Sequence, residues 1–86
     1  MPYELVLQPR ARRDLNKLAK SDRLVIFDKL HELATDPYSS GSVKKLQGSE
    51  YYRLRVGKFR VVYEIQNSVL IILVLAVGHR KEIYRR

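Results

Sequence analysis

Tyr51-Tyr52-Arg53-Leu54-Arg55-Val56-Gly57-Lys58-Phe59-Arg60-Val61-Val62-Tyr63-Glu64-Ile65 reads as two strands joined by a tight turn. Successive side chains on a strand point to opposite faces, so a period of two sorts them. Tyr52, Leu54 and Val56 share one face of the first strand, and Tyr51, Arg53 and Arg55 share the other. Gly57-Lys58 has the form of a two-residue hairpin turn with glycine first. Beyond it, Phe59, Val61, Tyr63 and Ile65 point inward, and Arg60, Val62 and Glu64 point outward. The hairpin therefore has one apolar face and one that gathers Arg53, Arg55 and Arg60.

Working outward, Gln66-Asn67-Ser68 turns the chain again. Val69 to Val77 is apolar throughout, as expected of a central strand covered on both faces. A polar tail, Gly78 to Arg86, follows. Upstream, residues 37–50 read as a loop rich in serine and glycine, with Pro37, Gly41 and Gly48. Before that loop, Ile26, Phe27, Leu30, Leu33 and Ala34 form the stripe of a helix. Ser21 or Asp22 is its expected cap, and Asp36-Pro37 its expected end, because a residue before proline avoids helical angles. Ala11, Leu15, Leu18 and Ala19 mark an earlier helix, with Pro9 in its first turn. One or two residues between the helices predict a hairpin. Tyr3, Leu5 and Leu7 alternate with Glu4 and Val6 in a short strand. The predicted class is α+β: a short N-terminal strand, a helix hairpin, then a three-stranded antiparallel meander, with two helices over the apolar face.

Eighty-six residues predict one domain, 1–86, with a modest core. The chain has no cysteine, which fits a reducing cytoplasm and removes thiolate chemistry. Met1-Pro2-Tyr3-Glu4 carries no charged-then-apolar signal pattern. The longest apolar run is nine residues, against the roughly 20 a spanning helix needs, so no membrane segment is expected. The net charge is +8, unevenly spread. Residues 1–43 hold seven basic and six acidic side chains; residues 44–86 hold ten and three. A basic half of this kind is the footprint of a polyanion binder, although it also serves solubility or an acidic protein partner.

Three guanidiniums crowded on one hairpin repel one another unless an anion lies between them, and opposed side chains on paired strands are only about 5 Å apart. Glu64 is the single acid among the outward positions of these two strands. Arginine suits forked recognition of phosphate and stacking on bases. Lys44, Lys45, Tyr51, Lys58 and Lys81 are candidate RNA contacts around this cluster. The tail adds Arg80, His79 and Tyr84. An imidazole titrates near neutrality, so His79 is a candidate for proton transfer; Tyr84 can stack, donate a proton or simply pack. His31, on a helix away from the cluster, reads as structural. The two histidines stand far apart without a carboxylate set, so no metal site and no cofactor is expected. A metal-free ribonuclease fits this inventory. The 2′-hydroxyl of RNA is a built-in nucleophile, and the protein must orient it, move its proton and balance charge on the phosphate.

From Tyr52 to Glu64, and again across Val77-Gly78-His79-Arg80-Lys81-Glu82-Ile83-Tyr84, the chain resembles the RelE/ParE superfamily of toxin–antitoxin toxins. Leu7-x-Pro9-x-Ala11 and Leu15-x-x-Leu18 are also typical, so the resemblance covers nearly the whole chain. It is closest to the RelE branch, which implies a microbial-ribonuclease-type sheet and metal-free cleavage of mRNA in the ribosomal A site. It also implies inhibition by a cognate antitoxin protein in a toxin–antitoxin hetero-oligomer. Arg53, Arg55, Arg60, Arg80 and Tyr84 fall on the family's site positions. Studied members carry lysine where Arg53 and Arg55 stand, and a basic residue where Gln47 stands. Arginine is a poor base, so the resemblance carries over their electrostatic role, not proton removal. The alternative within the superfamily is a ParE-like toxin that poisons DNA gyrase without catalysis; an inactive RNA-binding relative is a third reading.

Overall fold

The computed structural model describes residues 3–37, 43–45 and 51–79. In chain order the elements are β1 (Glu4–Leu7), α1 (Pro9–Asn16), α2 (Lys20–Thr35), β2 (Val43–Lys45), β3 (Tyr51–Val56), β4 (Phe59–Gln66) and β5 (Ile71–His79). The strands form one five-stranded sheet in the order β1-β5-β4-β3-β2. β5 and β1 pair in parallel, and the other pairs are antiparallel.

The α+β class and the β3–β4–β5 meander are as the sequence predicts. Gly57 sits at φ +58° and is the only positive-φ residue of the β3–β4 turn, the pattern of a hairpin turn whose first central residue is glycine. β5 lies between β1 and β4, so both its edges are paired over Glu4–Leu7; only one of its faces is fully covered, since Ile72 and Val74 are buried while Ile71, Leu73 and Leu75 are half-buried. Pro9 opens α1 at the position where a missing N–H costs nothing. α2 ends at Thr35, just before Asp36-Pro37.

Three features depart from the expectations. Val43–Lys45 is a short strand on β3, within a stretch read as loop; three residues are too few to show a period. The helix caps also differ. α1 stops at Asn16 and α2 starts at Lys20, with Ala19 as its N-cap rather than Ser21 or Asp22. The joint is held instead by Arg23, whose Nη1 donates to the Leu18 carbonyl at 2.9 Å, and Asp22 lies in the first turn, where its charge suits the helix dipole. Finally, the last turn runs to Leu70, at φ 56°, so β5 begins at Ile71 and extends to His79.

The core lies between the helices and one face of the sheet. Ala11 and Leu15 of α1, four apart, are buried with Ile26, Leu30, Leu33 and Ala34 of α2. They meet Leu54, Val56, Phe59, Val61, Tyr63, Ile72, Val74 and Val77 from the strands. Tyr52 and Tyr63, paired across β3 and β4, stack with ring centroids 5.7 Å apart.

One irregularity governs the far side of the sheet. β4 and β5 pair as Tyr63 with Val74 but Val62 with Ala76, so Leu75 is an extra residue, a β-bulge. An extra residue exchanges the faces of everything beyond it. Val77 and His79 therefore join the core side, opposite Val61 and Phe59, and Gly78 joins the outer side, opposite Arg60.

Candidate functional site

The outer face of the sheet holds the arginines. Arg55 and Arg60 are direct register partners on β3 and β4, and Arg53 pairs with Val62 two residues away. Directly opposed side chains of this kind start about 5 Å apart, so two permanently charged side chains leave the sheet side by side at the hairpin end. Their environments differ. Arg55 is exposed and Arg53 half-buried, whereas Arg60 retains only 5% of its surface. Arg60 is the one charged residue buried among the described residues. Gly78 is its register partner on β5 and has no side chain. A guanidinium in so little water acts more strongly on a nearby anion than one in bulk solvent.

The other positions distribute around this pair. β2 sets Lys44 at the register position opposite Arg53 and Lys45 opposite Tyr52. Tyr51 is exposed and pairs with Glu64, whose Oε1 accepts a hydrogen bond from Gln66 Nε2 at 2.7 Å. That acid therefore stands four residues along β4 from Arg60, at the opposite end of the strand. Lys58 occupies the turn, with Nζ 5.6 Å from the Phe59 ring centroid. Phe59 belongs to the core face, so Lys58 leans away from the arginines.

His79, grouped by the sequence with the arginines, is on the opposite face. It pairs with Phe59 and packs against its ring at 5.0 Å between centroids. The bulge causes this: a continuous alternation from Val74 would have put position 79 on the arginine side. Arg80, Lys81 and Tyr84 lie outside the described residues. Among the described residues, no group of three or more histidine or acidic side chains is gathered. No described helix is long and apolar enough to cross a membrane.

Sequence reasoning missed two participants. Gly78 matters through its place opposite Arg60, which only the bulge reveals. Asp14, on α1, accepts a hydrogen bond on Oδ2 from the Val77 backbone N–H at 3.0 Å, across 63 residues of chain. No periodicity signals such a contact.

Comparison with known proteins gives a consistent picture. The family model described as the ParE toxin of the type II toxin–antitoxin system parDE matches residues 5–84. Toxin RelG of Mycobacterium tuberculosis is 30% identical over 87 residues, covering 100% of both chains. Among solved structures, the RelBE2 toxin–antitoxin complex of M. tuberculosis aligns with a TM-score of 0.83 and 26% identity, over 93% of this chain and 100% of that one. The intact RelBE toxin–antitoxin complex of E. coli aligns with a TM-score of 0.78 and 26% identity, over 90% of this chain and 95% of that one.

Proposed function

The chain belongs to the ParE toxin family of type II toxin–antitoxin systems, within the RelE/ParE superfamily, and we propose that its arginine face is a phosphate site that cuts mRNA on the ribosome. The observation that carries this reading is the Arg55–Arg60 pair, with Arg60 5% exposed. Two guanidiniums opposed across one strand pair present forked donors to the oxygens of a single anion. A phosphodiester has the charge and the oxygens to take both.

The chemistry follows from the substrate. The 2′-hydroxyl oxygen attacks the adjacent phosphorus and gives its proton to solvent, the bond to the 5′-oxygen breaks as that oxygen takes up a proton, and a 2′,3′-cyclic phosphate remains on the upstream fragment. No external nucleophile is consumed, so no metal-bound hydroxide is needed. Arg60 and Arg80 act on the phosphate oxygens as negative charge builds in the transition state. Arg55 supports them from the rim, and Arg53 with Lys44, Lys45, Lys81 and Tyr51 binds the RNA strand around them; Lys58, which leans toward Phe59, is left out of that set. Tyr84 carries the proton to the leaving oxygen or stacks on a base. His79 stands apart on the core face beside Phe59, so it is left out of the proton path. With such sparse acid–base equipment, the ribosome supplies the in-line geometry.

A cognate antitoxin is the expected partner, in a hetero-oligomer. Two of the similar solved structures are toxin–antitoxin complexes, and an acidic, amphipathic partner complements a half-chain with ten basic and three acidic residues. The reducing cytoplasm, where mRNA and ribosomes meet, is the expected compartment.

The ParE description of the matching family supports a second reading, a toxin that poisons DNA gyrase. Induced expression separates the two. Primer extension should map cuts within translated mRNA in minutes, with chromosomal DNA intact. DNA breaks with intact mRNA would select gyrase. Purified protein should cut mRNA on a ribosome with an empty A site and barely cut free RNA; equal cutting of free RNA would contradict the ribosome requirement.

A further inference from the structure

We propose that Asp14 is a positioning residue for the phosphate site: its carboxylate holds β5 in the bulged register that sets Gly78, rather than Val77, beside Arg60. The inference rests on the reading of Arg60 as a phosphate ligand.

The backbone explains why an acceptor is needed there. β1 accompanies β5 only from Ile71 to Val74, and the Gln8 N–H donation to the Val74 carbonyl at 2.9 Å is the last rung. Pro9 then turns the chain into α1, which packs along β5. Beyond Val74, no strand among the described residues lies beside that edge of β5. An unpaired N–H at a packed edge is costly. Asp14 accepts from Val77 at 3.0 Å, three residues past that last rung. At 3.0 Å the carboxylate oxygen satisfies that donor. The other contact of Asp14, Arg10 Nε at 3.8 Å, is long, and the Arg10 side chain is 47% exposed, so it adds little.

The register is the consequence that matters. Before the bulge, residue numbers of paired positions on β4 and β5 follow Tyr63 with Val74. Continued unbroken, that series would put Val77 opposite Arg60 and Gly78 opposite Phe59. A branched side chain would then crowd the arginine, and the core would lose a valine beneath α1. The bulge replaces both with Gly78 at Arg60 and Val77 at Val61. The Val77 N–H is fixed by Asp14 immediately after the bulge, so the carboxylate favours the shifted register over the unbroken one.

The test combines amide exchange by NMR, the Arg60 Nε–H resonance, and single-turnover cleavage on programmed ribosomes. Asp14→Ala should speed exchange at Val77 by about tenfold or more and move the Arg60 resonance. It should lower the maximal cleavage rate while leaving half-saturation by ribosomes unchanged. Asp14→Asn keeps an oxygen acceptor and should restore most of all three. Asp14→Glu, which moves the oxygens by one methylene, replaces the alanine variant if that does not fold, with the same directions expected. Wild-type exchange at Val77 and an unmoved Arg60 resonance in folded Asp14→Ala would overturn the proposal. So would full-rate cleavage by Asp14→Ala beside a slow Arg60→Ala. If Arg60→Ala itself cuts at full rate, the phosphate reading has failed, and exchange and resonance alone decide the register claim.

Discussion

The two faces of one sheet obey different rules. On the core face, Val61, Tyr63, Ile72 and Val74 are fully buried and meet the helices. Each is fixed by packing, and each stabilises the fold by leaving water. On the outer face, Arg55 and Arg60 oppose each other, and nothing in the hydrophobic bookkeeping asks for them. A face that opposes like charges works against its own stability, and such positions mark function more reliably than basic composition does. The contrast teaches which substitutions should reduce stability and which should reduce activity.

The largest effect on stability belongs to the core face. Ile72→Ala should cost about 2–5 kcal/mol, read as a lower denaturant midpoint at constant slope, with cleavage per folded molecule retained. Full stability in that variant would remove the core side of the contrast. On the outer face, Arg60→Ala should slow bound-state cleavage about 100- to 1000-fold, the effect of losing one charge-stabilising donor. Gly57→Ala comes next, at about 1–2 kcal/mol. Nothing stands within 4 Å of the added methyl, so the whole cost is backbone at φ +58°. A neutral result in thermal melts would mean that the turn relaxes. Arg55→Lys keeps the charge and loses the fork; its cleavage rate should fall between those of the wild type and Arg55→Ala. The smallest effect sharpens the contrast most. Arg55→Ala should raise stability by about 0.2–1 kcal/mol, more at low salt, because it relieves an opposed pair. Destabilisation at low salt would show that the pair is bridged within the free protein.

The sequence made the hairpin legible because two signals agree there: strict alternation in Tyr51–Val56 and Phe59–Ile65, and a glycine-first turn between them. Arg53, Arg55 and Arg60 follow directly from that alternation. The same method fails on β5. Val69 to Val77 is apolar on every position, so a slip of one residue leaves no trace in the pattern. The bulge at Leu75 was therefore invisible, and with it the move of His79 to the Phe59 side and the seat of Gly78 at Arg60. Burial of Arg60 was equally hidden, since alternation reports a face and not its depth. β2 escaped because it is three residues long, and Asp14 because its partner is a backbone N–H 63 residues away.

If the arginine face stabilises a phosphate rather than keeping the protein soluble, its loss must show in the cleavage step itself. Single-turnover cleavage of mRNA on programmed ribosomes, with wild type, Arg60→Ala and Arg80→Ala compared at saturating protein, tests it most directly. Both variants should bind the ribosome and cut about 100- to 1000-fold more slowly than the wild type. Full-rate cleavage by Arg60→Ala and Arg80→Ala alike would contradict it.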